Sequence, residues 1–179
     1  MPEELDREVL RGFVQGDRDA FEALFRQFQA EVFRWAVRIV RDPGIAEDVV
    51  VEAFWKAYRG RAGFDWSRSF GAWMRRIATN VARDHLKAAR RIELQRWNDE
   101  AQTPAAPVPD RAVQKAIALA FRALPAKLQI VATLTLIEER SHAEIAEALS
   151  LPVGTVKSRL FRATRALRKE LARLGLEPQ

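Results

Sequence analysis

SHAEIAEALSLPVGTVKSRLFRATRALRK, from Ser141 to Lys169, carries the signals of a short helix, a tight turn and a longer basic helix. Ser141 followed by Glu144 is a capping box, in which each side chain satisfies a backbone N–H that the first helical turn leaves unpaired. The short helix should therefore start at Ser141 and turn Ile145, Ala146 and Leu149 inward. Ser150 to Pro152 break it. Beyond the break Val156, Leu160, Ala163, Leu167, Leu171 and Leu174 recur every three or four residues, the period of one apolar helical stripe. At about 100° per residue, Gly154, Ser158, Phe161, Arg162, Arg165 and Lys169 fall on the other side. A basic face segregated from a core face suits a helix that docks on its domain while entering a phosphate-lined major groove. That is the layout of a helix-turn-helix DNA reader.

Side-chain chemistry divides the basic face further. Arg162 and Ser158 have the donors for base edges, whereas Arg165, Lys169, Lys157 and Arg159 suit phosphates. An ordinary surface helix with solvated cations accounts for the charge equally well. The capped first helix, the Pro-containing turn and the lack of any acid before Glu170 favour the reader. Gly154 is either a plain spacer in the first turn or a gap that lets DNA come close.

Composition agrees with a polyanionic partner. The 179 residues include 30 Lys and Arg against 24 Asp and Glu, a net charge of +6, which fits nucleic acid or an anionic membrane surface. No apolar run approaches the roughly 18 residues of a spanning helix. Met1 to Leu10 is acidic and polar, unlike a secretory leader. A cytoplasmic address without membrane insertion is expected. With no Cys there is no disulfide, thiol nucleophile or Cys-ligated zinc. His85 and His142 lack metal-ligand spacing, and no Gly-rich phosphate loop or nucleophile motif occurs, so no enzyme, metal or cofactor is expected.

Strand signals are nearly absent, and the expected fold is all-α: two small helical domains, 1–93 and 112–179, joined by a Pro-rich linker at 94–111, the second carrying the helix-turn-helix. Within WNDEAQTPAAPVP (Trp97 to Pro109) the helical period fades, and Pro104, Pro107 and Pro109 forbid a continuous helix. The first domain should begin with a helix from Glu4 to Val14. A long helix follows from Ala20 to Arg41, with Phe21, Leu24, Phe25, Phe28, Val32, Phe33, Ala36 and Ile39 inward. Asp42-Pro43 is an N-cap with Pro at the first helical position, opening a third helix to about Arg59. Its inward residues are Ala46, Val49, Val50, Ala53 and Ala57. Glu47, Asp48 and Glu52 then form an acidic outer patch, either ordinary charge near a helix N-terminus or a dock for a basic surface.

Arg59 to Ser69 is too irregular for a helix, with two Gly and two aromatics. A fourth helix is expected from Phe70 to about Arg91, with Ile77 and Val81 inward and Phe70 and Trp73 beside them. Arg76, Thr79, Arg83, Lys87 and Arg90 then share a face, with Asn80 at its edge. Trp73 borders this basic stripe and Trp66 lies in the loop before it. Aromatics beside cations offer single-stranded nucleic acid both stacking platforms and phosphate neutralisation. For Trp73, plain core packing is the simpler reading of the period.

AEDVVVEAFWKAYRG (Ala46 to Gly60), SFGAWMRRIATNVARDHLKAARR (Ser69 to Arg91) and ALPAKLQIVATLTLIEERSHAEIAEALSLPVGTVKSRLFRATRALRK (Ala123 to Lys169) resemble, in that order, the extracytoplasmic-function (ECF) sigma factors of bacterial RNA polymerase. The resemblance implies an initiation factor whose domain 2 binds the polymerase clamp and opens the minus-10 element, while domain 4 binds the minus-35 duplex. It implies polymerase contacts at Glu47, Asp48, Val51, Glu52 and Trp55. Minus-10 contacts would fall to Lys56, Trp66, Trp73, Arg76, Asn80, Arg83 and Lys87, with the loop Gly60 to Ser67 holding a flipped base. Minus-35 contacts would fall to Thr155, Lys157, Ser158, Arg159, Phe161, Arg162 and Arg165. The linker would thread toward the polymerase active-site channel, and an anti-sigma factor is an expected partner beside core polymerase and promoter DNA. Val51 departs from the family pattern, which has a polar residue there. Gln129 and Thr135 stand where Arg is common, removing phosphate contacts, and Glu138-Glu139-Arg140 replaces a Gly-bearing turn. No third sigma domain is expected. A helix-turn-helix activator that reads duplex DNA without polymerase is the competing reading, and it leaves the pattern of Phe70 to Arg91 unexplained.

Overall fold

Asp17 and Asp42 set the start of two long helices. In the computed structural model, which describes residues 7–66, 69–99 and 109–176, Asp17 Oδ1 accepts from the backbone N–H of Asp19 at 2.7 Å and of Ala20 at 3.3 Å. Asp42 Oδ1 accepts from Ile45 N at 3.0 Å, and Pro43 takes the first helical position, where its missing N–H costs nothing. The elements in chain order are α1 (Arg7–Gln15), α2 (Arg18–Val40), α3 (Pro43–Arg59), a 3₁₀ turn (Arg61–Gly63), α4 (Phe70–Asp99), α5 (Pro109–Ala123), α6 (Ala126–Leu136), α7 (His142–Leu149) and α8 (Val153–Arg173). Among the described residues there is no strand. The chain divides into two compact units, Met1–Ala82 and Arg83–Gln179, with the boundary inside α4.

Aromatic rings dominate the first core. Leu24, Val32, Ala36 and Ile39 of α2 are buried, as are Ala46, Val49, Val50, Ala53, Phe54 and Ala57 of α3. Phe13 meets Phe70 edge-on at 5.5 Å, and Phe25 meets Phe54 at 4.8 Å. Such pairs add about 0.5–1.5 kcal/mol each beyond the area they bury. Phe21, Phe25, Phe28 and Phe33, expected inward, are only half-buried.

The inward side of α4 differs from the expected one. Phe70, Met74, Ala78, Val81 and Ala82 are buried, whereas Ile77 is half-buried. Thr79 does not join the basic face: it is 8% exposed and accepts from Trp35 Nε1 at 3.0 Å. Its hydroxyl then donates to Arg75 O at 2.8 Å. A buried indole N–H needs an acceptor, and Thr79 supplies it. Neither half of that pair is visible from helical period alone.

The end of α4 also differs from the expected one. α4 continues to Asp99, past the expected stop near Arg91, and α5 already begins at Pro109. No Gly or Pro occurs between Gly71 and Pro104, so nothing in that run stops a helix, while Pro109 has the fixed φ of a first helical residue. The stretch 100–108 with Pro104 and Pro107, the expected helix start at Glu4, and Ser67 lie outside the described residues.

Small and aliphatic side chains build the second core. Ala120, Leu124, Ala132, Ala163 and Leu167 form its centre, flanked by Phe121, Leu128, Ala166 and Leu171. Ile145, Ala146, Ala148 and Val156 seat α7 on α8. Both bonds of the capping box are made, Glu144 N to Ser141 Oγ at 3.2 Å and Ser141 N to Glu144 Oε2 at 2.9 Å. After α7, Ser150 adopts a left-handed conformation (φ 50°) and Leu151 N closes back on Ala146 O at 2.8 Å. In the turn after α6, Glu139 takes φ 52°. A non-Gly residue thus adopts a Gly-like conformation in the Glu138-Glu139-Arg140 turn, for which the resemblance led to the expectation of a Gly-bearing turn.

Candidate nucleic-acid interface

Along α4, Trp73, Arg76, Asn80, Arg83 and Lys87 follow each other at steps of three and four residues and so form one stripe. Arg76, Asn80 and Lys87 are exposed, and Trp73 and Arg83 are half-buried. Trp73 owes its position to the core behind it: its ring lies 6.3 Å from Phe13, 5.2 Å from Phe64 and 5.7 Å from Phe70. Asp84 sits within the stripe, 3.5 Å from Arg83 Nε and 3.4 Å from Lys87 Nζ. Exposed pairs of this length are worth little, so both cations can turn to a phosphate. The sequence reading gave Asp84 no pairing role, although its three-residue spacing from Lys87 was the available signal.

Before α4, the loop is anchored by Phe64. This ring is buried and contacts Phe70 at 6.0 Å as well as Trp73, while Trp66 stands edge-on to it at 5.5 Å and is 54% exposed. Phe64 therefore ties the exposed Trp66 to Trp73 on the helix. Sequence reasoning counted Phe64 among the loop aromatics without giving it this role.

On α3, the outward residues are Glu47, Asp48, Val51 and Trp55, with Glu52 half-buried. Val51 is 66% and Trp55 58% exposed, so the acidic patch encloses an apolar strip. Trp55 stacks at 6.4 Å on Tyr58. Lys56 and Glu52, expected to serve different partners, are ion-paired at 2.7 Å. A surface pair one helical turn apart contributes only about 0.3–0.5 kcal/mol, so exchanging it for two outside partners costs little.

The second basic face lies on α8. Gly154, Lys157, Ser158, Phe161, Arg162, Arg165 and Lys169 are exposed, and Thr155 and Arg159 half-buried. Phe161 is 69% exposed, more than any other large apolar side chain described. Arg162 Nε donates to Ser158 O at 3.3 Å, and Ser158 Oγ to Thr155 O at 3.0 Å, so both bonds are local and exchangeable. A Cβ built on Gly154 meets nothing within 4 Å, so the fold does not require a glycine there. Glu170 ends the acid-free run, and Arg173 holds its carboxyl below the usual carboxylate range through a 2.6 Å contact. The Ser141 backbone and hydroxyl do the same to Glu144. Gln129 and Thr135 are half-buried, and Thr135 Oγ1 is buried with no hydrogen-bond partner among the described residues.

Comparison with known proteins follows the same two-part division. The family model Sigma-70 region 2 matches residues 24–92, and the model Sigma-70, region 4 matches residues 111–167. The RNA polymerase sigma-H factor of Pseudomonas aeruginosa is 32% identical over 96% of each chain. ECF RNA polymerase sigma factor SigW of Bacillus subtilis is 33% identical, covering 88% of this chain and 91% of its own, and the ECF RNA polymerase sigma-E factor of Escherichia coli is 34% identical over 93% and 95%. Among solved structures, CnrH in complex with the cytosolic domain of CnrY aligns with a TM-score of 0.54 at 27% identity, over 94% of this chain and 98% of that one. The sigma factor RpoE in complex with the anti-sigma factor NepR from Bartonella quintana shares the fold, at a TM-score of 0.50, 22% identity and coverage of 85% and 96%.

Proposed function

The chain belongs to the ECF family of RNA polymerase sigma factors, and from that premise we propose how its residues share the work. It is an alternative sigma factor that directs core RNA polymerase to promoters. Residues 1–93 act as domain 2, 94–111 as linker and 112–179 as domain 4, in line with the two matched regions. Glu47, Asp48, Val51, Glu52 and Trp55 dock on the polymerase clamp, the carboxylates meeting basic residues around an apolar centre. Trp66, Trp73, Arg76, Asn80, Arg83, Lys87 and Lys56 hold the unpaired minus-10 strand. Thr155, Lys157, Ser158, Arg159, Phe161, Arg162 and Arg165 read the minus-35 duplex.

Two aromatics, Trp66 exposed and Trp73 half-buried, beside a cationic stripe are the observation on which this division rests. An unpaired base gains about 1–3 kcal/mol by stacking on such a ring, and the strand's phosphates meet the cations. A duplex hides its base faces, so these rings reward only opened DNA. Opening is thus driven by captured binding energy, with no chemical step of the protein's own. Helix α8 supplies register upstream, through bidentate and apolar contacts to base edges. Gln129 and Thr135 in place of Arg lower the number of phosphates neutralised and with it the salt slope of minus-35 binding.

An anti-sigma partner is part of the proposal: CnrH is captured with the cytosolic domain of CnrY and RpoE with the anti-sigma factor NepR, and such a partner would cover the apolar strip at Val51 and Trp55. Among the described residues no helix is long and apolar enough to cross a membrane. A cytoplasmic site of action is proposed, since polymerase and promoter are there. The test is transcription by core polymerase from a linear promoter template with and without this protein. Promoter-specific initiation is expected. Tight binding to DNA alone, with nothing added to core polymerase, would overturn the proposal in favour of a duplex-reading activator.

A further inference from the structure

Arg61 is a cation placed where a packing residue would serve the fold. It opens the 3₁₀ turn that leads into the base-holding loop, and α1 packs against that turn. Its Nη1 donates to Tyr58 O at 2.8 Å, and its guanidinium carbon lies 4.5 Å from the centre of the Tyr58 ring. On the other side the guanidinium lies against Gly16: a Cβ built there would sit 2.8 Å from Nη2 and 3.1 Å from Nε. Gly16 has φ +92°, a conformation that suits glycine, and a side chain there would have to displace the Arg61 guanidinium from its seat. Tyr58 closes the assembly, donating its hydroxyl to Gly16 O at 3.2 Å. Arg61 Nε is buried and has no hydrogen-bond partner among the described residues. Burying a polar N–H unpaired costs about 1–3 kcal/mol, a cost that an aliphatic side chain would avoid.

We propose that Arg61 is a positioning residue for minus-10 recognition: clamped between Tyr58 and the Gly16 turn, it fixes the start of the loop that presents Phe64 and Trp66 to the flipped base. The inference rests on the loop's base-holding role given above. A planar, multi-donor guanidinium suits the task because it engages a ring face and a carbonyl at once, which fixes the turn in angle as well as distance. A loop that must discriminate bases has to hold its ring and backbone still, since misplacement of about 1 Å is enough to lose selectivity. Phe64 holds the far end of the loop in the aromatic core, and Arg61 holds the near end. Two anchors leave Trp66 between the second of them and α4.

The test uses holoenzyme assembled from core polymerase and Arg61→Ala, Arg61→Lys, Tyr58→Phe or Trp66→Ala protein. Initiation is measured on four templates that differ only in the base expected to flip. For Arg61→Ala the ratio between best and worst base should fall about tenfold, while core binding and minus-35 duplex affinity stay within twofold. Arg61→Lys, which keeps one donor and the charge over the ring, should restore part of the ratio. Tyr58→Phe, which loses only the bond to Gly16 O, should lower it two- to threefold. If Arg61→Ala slows initiation equally on all four templates, or leaves all four unchanged, the positioning role is wrong. Should Arg61→Ala fail to fold, the Lys and Phe variants decide alone, and an unchanged base ratio in both overturns the proposal. Trp66→Ala separates the two readings: loss of base preference there with an intact ratio in the Arg61 variants rejects only Arg61, whereas no effect of Trp66→Ala rejects the loop's role itself.

Discussion

Helices α4 and α8 each set an aromatic among cations, yet they hold that aromatic in opposite ways. Trp73 of α4 is half-buried and backed by Phe13, Phe64 and Phe70. Phe161 of α8 is 69% exposed and stands away from its core. A platform for an unpaired base must be rigid and supported from behind, because stacking uses one face of the ring. A groove reader must instead protrude, because base edges lie at the floor of the groove. The two units supply these needs from different cores, ring upon ring in the first and Ala and Leu in the second. On the proposed division of labour, similar side chains would serve opened DNA in one place and duplex in the other.

The comparison breaks most visibly at the aromatics themselves. Trp73→Ala should lower the stability of the first unit by about 3 kcal/mol through the lost packing, and abolish minus-10 opening. Phe161→Ala should stay within about 0.5 kcal/mol of wild-type stability while weakening minus-35 duplex binding about tenfold. Denaturant unfolding and duplex titration check both. Equal losses of stability in the two variants would erase the distinction between supported and protruding rings.

Gly154→Ala sharpens the account of α8 at a smaller scale. The site has open space, so the fold should gain up to about 0.5–1 kcal/mol from helix propensity, while duplex binding weakens several-fold as the new methyl meets DNA. Tighter duplex binding would reduce Gly154 to a spacer. Glu139→Gly addresses the left-handed turn after α6 and should raise the stability of the second unit by about 1 kcal/mol, read as a higher midpoint.

The smallest effect concerns pH. Hydrogen bonds from the Ser141 backbone and hydroxyl lower the Glu144 pKa in the folded state. A lowered folded pKa stabilises at pH above the unfolded value, and the gain is lost as pH falls through the folded value. Glu144→Gln should thus be less stable than wild type near neutral pH, and the gap should close in acid. A gap that persists unchanged below the carboxylate range would show that the box does not depend on the charge.

Much of this was legible in the chain. The Ser141 and Glu144 box, the Asp42-Pro43 start and the segregated faces of α8 follow from local rules, since a cap or a period needs only neighbours in sequence. The acidic strip of α3 and the Arg76, Asn80, Lys87 stripe were readable for the same reason. Long-range partners were not. Thr79 leaves the basic face because Trp35 needs an acceptor 44 residues away. The strut of Arg61 depends on Gly16 and Tyr58, and Phe64 on Trp73, pairings that no single helical period encodes. The end of α4 was less legible than its face, because amphipathicity fades near Arg91 while the helix needs only the absence of breakers to reach Asp99.

The division of labour between α4 and α8 is tested most directly by Asn80→Ala and Arg162→Ala in holoenzyme on one linear promoter, reading strand opening with permanganate and minus-35 occupancy by footprinting. Asn80→Ala should leave the minus-35 footprint intact and reduce opening at least tenfold. Arg162→Ala should weaken the footprint by roughly 10- to 100-fold, while opening recovers at saturating holoenzyme. Matching defects in both readouts for both variants would contradict the account.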